Sequence, residues 1–344
     1  MDPLLATRLL EPAFLSKHIE RKRQTDGARL LSSCIRDVDA PGYLSDLVGV
    51  TLTWDPPTGA PTRAILKVSH AGFGQLEWPF YDNIAQHLDC ASIPTVFAGG
   101  IDEPTGRTWL LMEDLSASHE RPSQAPLPPT LARSTSIVEA LARFHAAGQK
   151  TDSWQATCPS LSDRLRTSAW LDAACERLFT EAGDALAPGT RETYARFLSR
   201  YPSLVDRAAS MQGITLVHGD AHVWNWMLPR AGIPGTPKLI DWDAWQRGPG
   251  VWDLAYMMAL QWDRGVRQRF ENHLLDRYHA AAAACDMPGC SRQALQDDYR
   301  LAVLLHLRTP LARFERGMSA YVWWPQLTRT VQAVEDLRCL ELLA

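Results

Sequence analysis

The chain lacks long hydrophobic runs, paired cysteines and a large excess of charge of one sign. No stretch of about 18 consecutive apolar residues occurs, so no membrane-spanning helix is predicted. The seven cysteines include no Cys-x-x-Cys pair, and their odd number argues against a disulfide framework and favours a reducing compartment. The N-terminus also lacks the basic leader and apolar core of a signal peptide. We therefore expect a cytoplasmic protein.

The charge balance limits the class of partner. The formal net charge is -4 and the sequence pI is about 6.2. Proteins that bind nucleic acid normally present a basic face to the phosphates, so no nucleic-acid partner is expected. An anionic small ligand is still possible, because a site can be locally positive in a weakly acidic protein.

The features that are present indicate an ordinary globular protein with two parts. The chain has 344 residues, of which 46% are hydrophobic, which is enough for two modest domains. Short β-branched runs between Pro-Gly turns dominate the first part, and apolar residues at helical spacing dominate the second. A β-hairpin near 214–245 interrupts the helical part, and the Pro- and Ser-rich stretch 118–130 is the predicted linker. The other predicted elements are a helix at 3–23, two or three strands within 29–69, a helix at 75–88, two strands within 93–115 and a helix at 134–148.

Two short segments carry the residue types most typical of catalysis. His218-Gly219-Asp220 is followed by Asn225, and Asp241 lies further along in Ile240-Asp241-Trp242. Turn residues separate the segments, so a hairpin would bring Asp220, Asn225 and Asp241 together. Their oxygen atoms are the ligands that Mg²⁺ prefers. Phosphoryl transfer needs such a metal site, together with a carboxylate that orients the attacking hydroxyl.

Two other interpretations of this pattern remain open. Asp and Asn are common in turns for local reasons, so the three oxygen-bearing side chains could be loop caps. His218, Asp220 and His222 alternate along the chain, and on a strand they would point the same way, as the ligands of a zinc-dependent hydrolase could. The zinc interpretation leaves Asn225 and Asp241 without a role.

The segments "HGDAHVWN" (218–225) and "LIDWDAWQRGPGVWDLAYMM" (239–258) resemble signatures of the aminoglycoside phosphotransferase and choline kinase superfamily. The many tryptophans resemble its ecdysteroid-kinase-like branch. This resemblance implies an α+β, protein-kinase-like bilobal fold. A small β-sheet N-lobe (1–115) would bind the nucleotide. A larger, mainly helical C-lobe (116–344) would hold the catalytic loop, the metal site and the acceptor pocket.

The resemblance also implies roles for the motif residues. Asp220 would be the catalytic residue that orients or deprotonates the acceptor hydroxyl. Asn225 and Asp241 would hold Mg²⁺. His218 and Asp253 would support the catalytic loop.

A lysine in the first part completes the implied constellation. The run "AILK" resembles the kinase V-A-I-K strand, so Lys67 would contact the α- and β-phosphates of ATP. Glu77 would be its ion-pair partner, with Glu103 and Asp82 as the alternatives.

Two backbone segments would also contact the nucleotide. In "PGYLSD", the amides from Gly42 to Ser45 would donate to phosphate oxygens, although this loop has one glycine where protein kinases have three. In "LLMEDL", the backbone of Glu113 and Leu115 would face the adenine.

Some residues near the motifs have two interpretations. Asp243 fits a second metal ligand, but a helix or turn cap is favoured. Aromatic faces can bind a cationic amine, but filling of the core is favoured for each tryptophan that flanks the motifs: Trp224, Trp226, Trp242 and Trp245.

Together these features predict a small-molecule kinase that transfers the γ-phosphoryl group of ATP to a hydroxyl, with Mg²⁺ as cofactor. The acceptor would be aminoglycoside-, choline- or steroid-like, and the acidic balance and aromatic content favour an amine-bearing or polycyclic alcohol. The alternative from another class is a nucleotide-binding pseudokinase or regulator. The presence of every expected catalytic residue type disfavours that alternative.

Overall fold

The structure is a computed structural model that describes residues 3–20, 28–37, 44–56, 60–123, 128–151, 154, 158–287 and 291–343. The chain divides into two compact units. The first comprises Met1–Glu120 and Met227–Ala244, and the second comprises Arg121–Trp226 and Trp245–Ala344.

The first unit is built on a five-stranded antiparallel sheet in the order β1-β2-β3-β5-β4. This sheet confirms the strands predicted within 29–69 and 93–115. Lys67 lies in the third strand, between Leu47 and Leu110 of the neighbouring strands. The strands are β1 (Arg29–Arg36), β2 (Ser45–Asp55), β3 (Arg63–Ser69), β4 (Val96–Asp102) and β5 (Arg107–Glu113).

Two helices before the sheet cover one of its faces. They are α1 (Pro3–Leu9) and α2 (Pro12–Glu20), where one continuous helix at 3–23 was predicted. The prediction missed a break before Pro12, because the residue preceding a proline is pushed out of the helical region. Residues 21–23 of the predicted helix lie outside the described part of the chain. Apolar side chains of both helices are buried in one core with the sheet, including Leu9, Leu15, Val50 and Leu66.

The helix predicted at 75–88 is present but irregular. It begins as α3 (Glu77–Pro79), widens to a π-helical turn (Phe80–Ile84) and ends as a 3-10 turn (Ala85–His87). Its first residue, Glu77, is buried on the inner side of the unit.

Five short strands complete the sheets: β6 (His119–Glu120), β7 (Ile214–Val217), β8 (Trp226–Pro229), β9 (Lys238–Leu239) and β10 (Gln246–Pro249). β6, β8 and β9 form one small sheet, in which His119 pairs with Pro229. β7 and β10 form another, in which Val217 pairs with Gln246. The predicted β-hairpin between the two motifs is therefore confirmed as β8 and β9.

These pairings divide the chain differently from the predicted boundary at 115/116. The first unit continues to Glu120, and it also includes 227–244, which the sequence reading grouped with the helical part. The reason is that β8 pairs with β6, and that the Lys238 amine contacts the Glu113 carboxylate at 3.0 Å. These contacts join segments that are distant in the sequence, so no local sequence pattern indicates them.

The second unit is mainly helical, and α4 packs against α9. Its helices bury large apolar side chains such as Phe144, Phe197 and Leu274. Among the residues with described structure, no helix has the length and apolar character needed to span a membrane. The helices are α4 (Leu131–Gln149), α5 (Leu161–Arg166), α6 (Leu171–Ala182), α7 (Thr190–Ala208), α8 (Val251–Ala255), α9 (Arg264–Ala284), α10 (Arg292–Leu305), α11 (Arg308–Glu315) and α12 (Ala320–Asp336).

Candidate active site

Lys67 lies at the centre of an ion-pair network in the first unit. Its Nζ atom is 2.8 Å from a carboxylate oxygen of Glu77 and 2.7 Å from Asp241 Oδ1. The Glu77 side chain is 1% exposed, whereas that of Asp241 is 48% exposed. Of the candidate partners for Lys67, the structure therefore selects Glu77 and adds Asp241, which follows it by 174 positions.

Burial and charge act in opposite directions on this network. Burial alone would lower the pKa of the Lys67 amine, but the charges of Glu77 and Asp241 outweigh it and raise that pKa above its usual value. Burial raises the pKa of Glu77, Lys67 opposes that rise and the charge of Asp241 adds to it. The amine is thus held as a cation, placed between a buried and a solvent-facing carboxylate.

Asp241 has an unusual backbone conformation. Its φ angle is +69°, in the left-handed region that non-glycine residues adopt at a cost. The next residue, Trp242, is fully buried, stacks on Phe80 with ring centroids 4.0 Å apart, and donates from its indole to the Leu239 carbonyl at 2.8 Å. These contacts hold the turn in place and keep the Asp241 carboxylate at Lys67.

Asp243 is a cap, as the sequence favoured. Its two carboxylate oxygens accept hydrogen bonds from the backbone N–H groups of Gly74 and Leu76, each at 2.9 Å. Leu76 is the residue immediately before α3. A carboxylate at this position satisfies donors that a helix start leaves without partners, and so it fixes the start of the helix that carries Glu77.

The backbone groups that were predicted to contact the nucleotide differ in whether they already have hydrogen-bond partners within the chain. Gly42 lies outside the described residues, and Ser45 is the first residue of β2, paired with Ser69. The Glu113 N–H already donates to the Thr95 carbonyl at 2.9 Å. Over the described ranges, the Leu115 N–H donates to no other group of the chain. Of the two residues predicted to face the adenine, only Leu115 therefore has a backbone N–H without a partner in these ranges.

Asp220 and Asn225 lie together in the second unit, in the turn that follows β7. The Asn225 amide nitrogen donates to the Asp220 backbone carbonyl at 2.9 Å and to its Oδ2 atom at 3.2 Å. Both hydrogen bonds use the nitrogen, so the amide oxygen of Asn225 is turned to the other side. This oxygen and the half-exposed carboxylate of Asp241 are hard donors that fit Mg²⁺.

The turn is stabilised by hydrogen bonds to the buried carboxylate of Asp253. Its carboxylate is fully buried and accepts from the backbone N–H groups of His218 and Gly219 at 2.7 and 2.8 Å. His145 contacts the same carboxylate through Nε2 at 3.2 Å and the Tyr278 hydroxyl through Nδ1 at 2.8 Å. Burial alone would raise the pKa of Asp253, but these hydrogen bonds and the nearby histidines lower it.

Tyr256 and Arg313 contact Asp220, and the sequence reading missed both. The Tyr256 hydroxyl donates to Asp220 Oδ1, and Arg313 donates to the Tyr256 oxygen. Arg313 Nη2 is also 3.7 Å from Asp220 Oδ1. Burial and the Asp220 charge raise the pKa of Tyr256 well above its usual value, so the phenol stays protonated. Tyr256 is one helical turn beyond Asp253, a spacing that was readable. Arg313 lies outside both motif segments, and no feature of those segments indicates it.

The side chains of the zinc interpretation do not form a metal site. β7 ends at Val217, so the next five residues form a turn and do not alternate on a strand. His218 is buried and its Nδ1 accepts from the Asp220 N–H at 3.2 Å. Wherever the structure describes the chain, no group of three His, Cys, Asp or Glu side chains has the geometry of a metal site.

Most tryptophans that flank the motifs fill the core, as favoured. Trp226, Trp242 and Trp245 are at most 3% exposed. Trp224 is the exception, since its side chain is partly exposed.

Comparison with known proteins identifies the family. Residues 52–288 match the sequence pattern of the phosphotransferase enzyme family, APH, which is well over half of the chain. The chain belongs to this family. The family assignment confirms the predicted superfamily and the expected enzyme class, a phosphotransferase. No curated protein matches the sequence significantly.

Solved structures show the fold. A putative aminoglycoside phosphotransferase from Ralstonia eutropha JMP134 is 15% identical with a TM-score of 0.53, over 94% of this chain and 96% of that one. Plasmodium vivax ethanolamine kinase is 9% identical with a TM-score of 0.54, over 94% and 86%. Choline kinase LicA from Streptococcus pneumoniae is 14% identical with a TM-score of 0.51, over 93% and 98%. The predicted α+β, kinase-like fold is therefore confirmed.

Proposed function

We propose that this enzyme transfers the γ-phosphoryl group of ATP to a hydroxyl group of a small molecule. The observation that carries the proposal is the contact of Lys67 with both Glu77 and Asp241. A lysine between a buried and a solvent-facing carboxylate can exchange the second for phosphate oxygens, while the first keeps the amine in place. Kinases use a strand lysine and a helix glutamate in this way.

The residues of the first unit supply the proposed nucleotide contacts. Lys67 binds the α- and β-phosphates, and Glu77 orients it. The Leu115 N–H donates to the adenine, and the Glu113 carbonyl accepts from it. The contact of the amides from Gly42 to Ser45 with the phosphates stays a prediction, since Gly42 and Tyr43 lie outside the described residues. Asp241 and Asn225 hold Mg²⁺, which supplies positive charge to the phosphate oxygens when bound.

The residues of the second unit supply the proposed acceptor chemistry. The acceptor oxygen attacks the γ-phosphorus and forms a new P–O bond, while the bond to the β-phosphate oxygen breaks and ADP leaves with that electron pair. The acceptor proton passes to the Asp220 carboxylate, which Asn225 and Tyr256 orient. Asp253 holds the backbone of the loop by accepting from the His218 N–H, and the Nδ1 atom of His218 accepts from the Asp220 N–H.

The acceptor class is inferred from the names of the structural relatives. The structural relatives are named for aminoglycosides, choline and ethanolamine, and these names motivate a small hydroxyl compound as the class. The cytoplasmic location and the ecdysteroid-kinase-like branch stay predictions.

An ATP-consumption screen with pooled hydroxyl compounds tests the proposal. Magnesium-dependent formation of ADP and of a phosphorylated acceptor supports it. Tight binding of Mg·ATP with no turnover on any pool would instead support the pseudokinase alternative.

A further inference from the structure

The second unit contains a cavity that takes no part in the proposed reaction. It lies among the segment before β7, the start of α8, and the facing sides of α9 and α10, and its volume is about 130 Å³. An apolar cavity of about 150 Å³ is large enough to hold benzene, so this cavity can take a ring of about that size. Its walls are mostly apolar, and they include Gly213, Gly250, Tyr278, Ala282, Leu295 and Asp298.

Small residues keep this space open between the helices. Tyr278 and Ala282 are four residues apart on α9, and Leu295 and Asp298 are three residues apart on α10, so each pair lies on one helix face. Ala282 is buried and carries only a methyl group. A larger side chain at this position would occupy the cavity, which gives a direct way to close it.

Asp298 gives the cavity an acidic group that has no cation in contact with it. Its Oδ2 atom accepts from the Gln212 N–H at 3.0 Å. Over the described residues, no Lys, Arg or His nitrogen lies within 4.0 Å of its carboxylate. Burial raises the pKa of Asp298 more than the Gln212 hydrogen bond and the charge of Arg207 lower it. A cationic group in the cavity would therefore stabilise this half-buried carboxylate.

Tyr278 connects the cavity to the turn that carries Asp220. Its hydroxyl is 2.8 Å from His145 Nδ1, and His145 Nε2 is 3.2 Å from the Asp253 carboxylate. Asp253 in turn accepts from the two backbone N–H groups at the start of the turn, at 2.7 and 2.8 Å. Gly250 packs against the first of these contacts, because a Cβ atom there would come within 2.7 Å of His145 Nδ1. Consecutive hydrogen bonds thus join the cavity wall to the turn.

We propose that this cavity binds a small apolar amine, whose ring or alkyl group fills the space beside Tyr278 and whose ammonium group pairs with Asp298. The bound amine restrains Tyr278, and through His145 and Asp253 it stabilises the backbone of the turn that carries Asp220. A neutral ligand of the same shape would leave Asp298 without a cation, and an anionic ligand would be repelled by it. The inference goes beyond the proposed function, and its tests need no turnover.

Calorimetry with three compounds of similar size tests the ligand class. Benzylamine is cationic, benzamide is neutral and benzoate is anionic, and none of them has a hydroxyl group that could accept a phosphoryl group. His279 also lines the cavity, so binding is measured at about pH 8, where an ordinary histidine is mostly neutral. We expect benzylamine to bind about tenfold more tightly than benzamide, the lower value for a hydrogen bond to a charged group because Asp298 is partly exposed. Benzoate should not bind.

Substitutions in the cavity wall test the place of binding. Asp298→Asn keeps an oxygen that accepts from the Gln212 N–H but removes the charge, so it should weaken benzylamine about tenfold and leave benzamide unchanged. Asp297→Asn, at an exposed neighbour on α10, removes the same charge one residue away and should bind like the wild type. Ala282→Leu fills the cavity and should abolish binding of both compounds. Benzylamine affinity that is unchanged in Asp298→Asn and in Ala282→Leu overturns the site.

Hydrogen exchange followed by mass spectrometry tests the connection to the turn. Peptides that contain the His218 and Gly219 amides report on it, because those amides donate to Asp253. At a benzylamine concentration of about ten times its Kd, openings that release the ligand become about tenfold rarer, so exchange should slow by that factor. Tyr278→Phe keeps the ring that lines the cavity and removes the hydroxyl. It should therefore bind benzylamine with little change and lose the slowing.

The outcomes separate this inference from the proposed function. Preferential binding of benzylamine, with slowed exchange in the wild type and none in Tyr278→Phe, supports the inference whether or not the acceptor screen finds turnover. Absence of benzylamine binding, or binding no tighter than that of benzamide, overturns it. Unchanged exchange in the wild type, or slowing that persists in Tyr278→Phe, overturns the connection to the turn. A failed acceptor screen counts against the proposed function alone.

Discussion

The surroundings of Lys67 and of Asp220 differ in charge. In the first unit, one lysine contacts two carboxylates, so the group carries a surplus of negative charge. In the second unit, the carboxylate of Asp220 contacts Arg313 and the Tyr256 hydroxyl. The first group can therefore take up a further cation, whereas the carboxylate of the second already has a cation and a hydroxyl as partners.

The four carboxylates also differ in burial, and this difference separates those expected to affect stability from those expected to affect turnover. Glu77 and Asp253 are buried carboxylates whose partners keep them compatible with the protein interior. Asp220 and Asp241 are partly exposed, with 28% and 48% of their side chains accessible. Substitutions at the buried pair should therefore change folding, whereas substitutions at the exposed pair should change turnover.

The largest expected effect is on turnover at Asp220. Asp220→Asn keeps the size and hydrogen-bonding shape of the side chain but cannot accept the acceptor proton. We expect kcat to fall about 10²- to 10⁴-fold, the usual contribution of a general base, with unchanged circular dichroism and nucleotide affinity. Asp172→Asn, an exposed aspartate in the first turn of α6, is the matched control. A wild-type rate in Asp220→Asn would reject the assigned role.

The next effect is on stability at Lys67. Lys67→Met leaves the buried carboxylate of Glu77 without its cation, which should lower the free energy of unfolding by roughly 3 kcal/mol in urea denaturation. Lowering the pH should restore part of that loss, because protonation removes the buried charge. The double variant Lys67→Met, Glu77→Gln should recover stability without recovering turnover. The account is contradicted if the single variant is as stable as the wild type.

A smaller effect is expected at Tyr256. Tyr256→Phe removes the hydroxyl that donates to Asp220 and accepts from Arg313, so the catalytic carboxylate is less well oriented. We expect kcat to fall about tenfold, near the value of one hydrogen bond to a charged group, with little change in the KM for ATP. An unchanged kcat would show that Asn225 alone orients the carboxylate.

The last effect concerns His306 and is absent at neutral pH. Its pKa is lowered from 6.5 to about 3 by burial and by nearby arginines, so the unfolded chain binds the proton at a higher pH than the folded protein does. This histidine's contribution to stability is complete above pH 6.5 and is lost as the pH falls towards 3, by at most about 1.4 kcal/mol per pH unit. Denaturation curves of His306→Gln should show a shallower loss, and exposed His87→Gln should match the wild type. Equal slopes in all three would disprove the assignment.

Local patterns in the sequence predicted the strands of the large sheet, the mainly helical character of the second unit and the turn with Asp220. The strand with Lys67 and the turn with Asp220 each depend on nearby residues, and each was readable. The start of α2 was missed although Pro12 marks it. The rest of the candidate site was predicted from the resemblance to the family's motifs, which relates the spacing of Asp220, Asn225 and Asp241 to their roles.

The parts of the site and of the fold that were not predicted depend on contacts between segments that are distant in the sequence. Nothing near Arg313 in the chain indicates that it meets Asp220, since the two are brought together by the packing of α11. The grouping of 227–244 with the first unit has the same origin, because short strands pair across more than a hundred residues.

The central proposal is that Asn225 and Asp241 both hold the Mg²⁺ that accompanies the nucleotide. Calorimetry with a non-hydrolysable ATP analogue, with and without Mg²⁺, tests it in the wild type, Asp241→Asn and Asn225→Ala. We predict that Mg²⁺ tightens binding to the wild type and that both variants lose most of this gain. Full magnesium dependence in Asn225→Ala, with loss only in Asp241→Asn, would contradict the account.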